Sequence, residues 1–92
     1  MTPKAAAELA VSALIWLSEE PDRMGAFLAQ TGADAANIRA AAQDPAFLGA
    51  VLDFVLLSDE GVLAFAEQHQ VPPETIVAAR AALPGGDLPN WT

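Results

Sequence analysis

The chain has 92 residues, a net charge of −8 and no cysteine, which excludes a disulfide frame and any thiolate metal site and limits the fold to one small domain. Twelve acidic residues against four basic ones repel phosphate backbones and anionic headgroups, so nucleic acid and membrane are poor partners. The apolar fraction of 53% divides into 21 alanines and 28 larger residues, the composition of a thin core between helices that approach closely.

Thr2–Pro3 puts a capping hydroxyl before a proline at the first helical position, opening a helix that runs to about Ser18. Glu19–Glu20–Pro21–Asp22 stops it and begins a second, which carries Met24, Phe27 and Leu28 and ends at the glycine stop Thr31–Gly32. Asp34 caps a short third helix containing Ile38 and Arg39. Asp44–Pro45 opens a fourth, from Phe47 to Leu57. Ser58 or Asp59 caps a fifth, from Val62 to about His69, and Val71–Pro72–Pro73 launches a sixth that ends near Leu83, before Pro84–Gly85–Gly86. No window alternates apolar and polar residues as a half-buried strand would. The expected fold is all-α: a compact bundle of about six short helices in a single domain, residues 1–86, followed by a tail, residues 87–92.

A shift of 38 residues aligns the chain with itself without a gap. It brings Leu14 onto Leu52, Ala26–Phe27 onto Ala64–Phe65, Gln30 onto Gln68 and Ile38 onto Ile76. The apolar stripe Leu9, Ala13, Trp16 and Leu17 falls on Phe47, Val51, Phe54 and Val55, spacings that share one side of a helix. Two pseudo-repeated three-helix halves, about 3–42 and 45–83, are the expected arrangement, with convergent helix patterning as the alternative.

The halves differ on one face. Val11 and Ile15 point away from the main stripe of the first helix, and Ile15 aligns with the charged Asp53. Cover by another helix or by the C-terminal tail, with Trp91 as the plug, accounts for these residues as core. A partner surface formed by Val11, Ile15 and Trp91 is the alternative. The tail itself, with Leu88 and Trp91, suits docking onto its own domain or into a partner's groove.

Motifs for chemistry are sparse. Leu28, Gly32, Ala33 and Ile38 fit a helix-turn-helix spacing, and Ala66, Gln70, Val71 and Ile76 repeat it with glutamine in the glycine's place. The reading helices would offer Asn37 and Arg39, or Glu74, Thr75 and Arg80, too few cations for a DNA footprint. Glu19, Glu20 and Asp22, and likewise Asp59 and Glu60, lack the alternating ligands of a calcium loop and suit helix starts. His69 is the one histidine, without a cysteine or tyrosine in the chain and with Ser12, Ser18 and Ser58 as the only serines, so no catalytic residue, metal ligand set or cofactor site is expected.

The N-terminus lacks a secretory leader, and the apolar stretches broken by Ser18, Asp53 and Ser58–Asp59 fall short of the roughly 20 residues of a membrane span. A cytoplasmic protein is expected. From about Ala7 to Gly86 the chain resembles a bacterial family of short helical proteins known as domain of unknown function 3572. The likeness rests on Thr31–Gly32, on Asp44–Pro45 with Phe47–Leu48 and Leu52–Asp53–Phe54, and on Leu83–Pro84–Gly85–Gly86. The resemblance implies an all-α cytoplasmic domain and brings no activity, ligand or site residue with it. A small acidic interaction or adaptor module, monomeric or weakly dimeric, with a protein partner and no enzymatic activity, is the leading expectation. A helix-turn-helix-like transcriptional regulator and a small-molecule binder with a pocket between the halves are the alternatives.

Overall fold

The computed structural model describes residues 1–83. Six α-helices follow one another: α1 (Pro3–Ser18), α2 (Pro21–Thr31), α3 (Ile38–Ala41, entered through a 3₁₀ turn at Ala35–Asn37), α4 (Pro45–Leu56), α5 (Asp59–Gln68) and α6 (Pro73–Ala82). No strand occurs among the described residues. The starts are set by side chains and prolines. Thr2 Oγ1 accepts from the Ala5 amide at 3.1 Å, Asp34 Oδ1 from Ala36 at 2.9 Å, Asp44 Oδ1 from Ala46 at 3.0 Å and Ser58 Oγ from Gly61 at 3.2 Å. Each bond satisfies an amide that the helix itself leaves open. Ser58 is therefore the cap of α5, and Asp59 and Glu60 lie in its first turn, where the helix dipole favours acids.

α1 is the central element, packed against α2, α4 and α6. Its inward side carries Ala6, Ala10 and Ala13, all wholly buried, beside Leu14, Trp16 and Leu17. Methyl side chains at three successive turns let α4 and α6 approach the α1 backbone closely, so alanine serves here as a spacer and the driving force comes from its larger neighbours. α4 contributes Leu48, Val51, Leu52 and Val55, and α6 contributes Ile76 and Ala79. Phe27 of α2 and Phe65 of α5 are the largest side chains with no exposure. Phe27 meets the rings of Phe54 and Phe47 edge-on at 5.5 and 5.7 Å, and Phe65 meets Trp16 edge-on at 5.6 Å, the geometry in which a ring's positive edge faces a negative face. Among the described residues no polar side chain is buried.

Several features recur at the shift of 38. α1 ends at Ser18 and α4 at Leu56, α2 begins at Pro21 and α5 at Asp59, and the third segments begin at Ala35 and Pro73. Gly32 closes α2 with φ 73°, and Gln70, at the matching place after α5, has φ 56°. The Phe27–Phe54 contact maps onto Phe65–Trp16 with the halves exchanged. The third elements diverge. α6 is ten residues long and packs against α1, α4 and α5, whereas α3 is a single turn of four residues on the outside. Ile76 accordingly has no exposure, and Ile38 is half-buried.

Candidate functional site

The outward side of α1 carries apolar residues that no other described element covers. Ile15 is 57% exposed and Val11 37%, so among the described residues neither joins the core. Trp91, the expected plug, lies outside the described residues. The two exposed side chains open onto a trough of about 760 Å³ between α1 and the α3 segment, walled by Leu14, Met24, Ala36, Ile38 and Ala42. Past Val11 and Ala42 it continues as a shallower groove along the first turns of α1, with Lys4, Glu8, Pro45 and Leu48 at its sides.

The trough exists because α3 is short. Of the residues between the αL stop at Gly32 and the cap at Asp44, only Ala35–Asn37, as a 3₁₀ turn, and Ile38–Ala41, as one turn of helix, are helical. A single turn cannot lay a full apolar stripe along its neighbour. At the shift of 38, the positions matching Ile15 and Ala42 are Asp53 and Arg80. These join α4 to α6 by a two-pronged ion pair, with Nε to Oδ1 at 2.5 Å and Nη2 to Oδ2 at 3.0 Å. Where α4 and α6 are bridged by charge, α1 and the α3 segment present two apolar side chains across an open gap.

The two helix-turn-helix spacings fall on α2, a turn and the one-turn α3, and on α5, a turn and α6. α6 buries Ile76, Ala79 and the flanking Leu83, and its Arg80 is engaged by Asp53. Its exposed positions include Glu74, Val77 and Ala78. Asn37 and Arg39 are exposed, on the one-turn α3 and its entry. His69 lies against Phe65 with ring centroids 4.4 Å apart. The Ser58 hydroxyl is occupied by the Gly61 amide, and among the described residues no three acidic or histidine side chains converge as a metal site. Met24, Ile38 and Ala42 are among the trough residues that sequence reasoning did not assign to a surface. The available signal was the helix start at Asp44–Pro45, which follows Ile38 more closely than Pro84 follows Ile76.

These features define an all-helical domain with an alanine-lined core and an open apolar trough on one flank of its central helix. The chain belongs to the family described as Protein of unknown function (DUF3572), whose model matches residues 3–86. No curated protein and no solved structure matches it. Among the described residues, no helix is long and apolar enough to cross a membrane.

Proposed function

We propose that this protein is a small interaction module of the cytoplasm, without catalytic activity of its own, and that it receives a helical segment of a partner protein in the trough along α1. The observation that carries this reading is the exposure of Ile15 on the trough floor, flanked by Val11, Met24 and Ile38. Each Å² of such surface removed from water contributes about 25 cal/mol, so a few apolar anchors suffice for a transient complex. A helix is the favoured occupant because α6 shows how this molecule closes the other flank: an amphipathic helix with Ile76, Ala79 and Leu83 facing inward.

We also read residues 3–42 and 45–83 as two copies of one three-helix unit facing each other across an internal two-fold. The recurrent boundaries, the paired left-handed residues Gly32 and Gln70, and the exchanged aromatic contacts support that reading. On it, the trough is the place where the first copy lacks its full third helix.

A protein partner is preferred to DNA because the chain has four basic residues and one of them, Arg80, is already paired with Asp53. A chain of net charge −8 then has little left for phosphate.

The test compares the wild type with Ile15→Asp as tagged baits in nuclease-treated native cytosol, identifying captured proteins by mass spectrometry. Ile15 is exposed, so the variant should keep its helicity and its stability within about 0.5 kcal/mol. One stoichiometric partner recovered by the wild type and lost with the folded variant supports the module. Equal recovery by both removes the trough from the reading, and a concentration-dependent dimer abolished by Ile15→Asp would make the occupant a second copy of the chain.

A further inference from the structure

A second concavity, sharing no residue with the trough, lies where the two halves meet. It encloses about 450 Å³ between α1, α2, α4 and α5, within the range of small-ligand sites. Most of its apolar lining comes in pairs related by the shift of 38, Trp16 with Phe54, Leu17 with Val55, and Ala26 with Ala64, while Leu57 stands without such a counterpart. One pair is unequal. Arg23 on α2 corresponds to Gly61 on α5.

That inequality makes the pocket. On the first side the guanidinium of Arg23 covers the Trp16 ring, its carbon 3.9 Å from the ring centroid, and Nη1 donates to the Trp16 carbonyl at 2.9 Å. On the second side nothing covers Phe54 in the same way, because residue 61 has no side chain. The backbone does not require this. A Cβ at Gly61 would meet its nearest neighbour, the Val55 carbonyl oxygen, at an ordinary 3.5 Å, and glycine weakens a helix relative to alanine. A glycine that sterics do not demand, beside a half-buried aromatic ring, keeps a space open.

Arg23 gives the space its chemistry. It is half-buried and held at two points, yet among the described residues the one ion pair is Arg80 with Asp53, so Arg23 has no carboxylate partner within 4.0 Å. A guanidinium has five donors, and one is directed to the Trp16 carbonyl. Glu60 also lines the mouth but is exposed, so its long side chain can turn to water while Arg23 stays fixed. We propose that this pocket binds a small carboxylic acid with an apolar body, its carboxylate on Arg23 and its chain against Phe54, Val55 and Leu57. Planar, fixed guanidinium favours carboxylate over other small polar groups.

The experiment titrates the full-length ¹⁵N-labelled protein with sodium octanoate at millimolar, sub-micellar concentration, with octanol and octylammonium as controls of equal chain length. The readouts are the Trp16 indole N–H, the Gly61 amide and the Ile15 amide. Saturable shifts at Trp16 and Gly61 but not at Ile15, with octanoate bound at least tenfold more tightly than either control, are expected. Arg23→Gln should bring octanoate to the level of octanol, and Gly61→Leu, which fills the space and strengthens α5, should abolish binding by a folded protein. Equal affinity for the three ligands, undiminished binding to folded Gly61→Leu, shifts confined to the trough, or no saturable shift would each overturn the assignment. If Arg23→Gln does not fold, the ligand series and Gly61→Leu decide.

Discussion

The α3 segment and α6 occupy matching places in the chain and have opposite fates. Both follow a left-handed residue, Gly32 in one case and Gln70 in the other, and both carry an isoleucine at the same register, Ile38 and Ile76. α6 has ten residues, enough to place Ile76, Ala79 and the following Leu83 along one inward stripe, and it lies against α1, α4 and α5. α3 has four residues before Asp44–Pro45 starts the next helix, and it leaves Ile38 half-buried at the edge of a trough. Local signals of the same kind thus accompany a core helix in one place and a single-turn flap in the other. The unfilled flank leaves an apolar trough, while the apolar residues exposed elsewhere, Leu57, Leu63 and Val77, do not line it.

The strongest test of this contrast is a matched pair of truncations. Ile76→Ala should cost about 2–5 kcal/mol in urea unfolding, a large share of the stability of any small domain, because it empties a wholly buried site. Ile38→Ala, at a half-buried site, should cost less than about 1 kcal/mol. Equal costs would mean that α3 is as much a part of the core as α6 and that the trough closes in solution.

A second pair sharpens the likeness of the two turns. Gly32→Ala puts a Cβ at φ 73°, which should destabilise by about 1–2 kcal/mol. Gln70→Gly relieves the same strain at φ 56°, less the entropy that glycine loses on folding, and should raise the melting temperature slightly. A lower melting temperature for Gln70→Gly would show that Gln70 is held by something other than the turn it shares with Gly32.

The smallest effect concerns the ion pair that one flank has and the other lacks. Asp53 is 56% exposed on its side chain, so Asp53→Asn should cost under about 1 kcal/mol, and less at high salt. A larger loss would make the Asp53–Arg80 bridge the main tie between α4 and α6, ahead of the apolar contacts of Ile76 and Ala79.

Much of this fold was legible in the sequence, for a local reason. Thr2, Asp34, Asp44 and Ser58 each bond an amide two or three residues along, and prolines open α1, α2, α4 and α6, so helix starts are written within a few neighbouring positions. Sequence reading placed the start of the fourth helix at Phe47 and of the fifth at Val62. The structure begins them at Pro45 and Asp59, because the residues between cap and first apolar position are already helical. The burial of Leu17, Val51 and Val55 followed equally from helical spacing.

The candidate sites were legible only in part. The sequence marked Val11 and Ile15 as apolar residues on the wrong side of α1, but a helix or the tail could equally have covered them. Only the packing shows that α3 stands aside and that Met24, Ile38 and Ala42 complete a trough there. The same holds for Arg80, which the sequence offered as a reading residue and which Asp53, 27 positions away, engages instead. Arg23 over Trp16 and the bare space beside Gly61 gave no sequence signal at all. Capping and periodicity are short-range and repeat along the chain, so residue order alone determines where helices begin, end and turn their apolar faces. Which faces remain uncovered depends on how rods of unequal length fit together, a long-range competition for the same buried surface that only the tertiary structure decides.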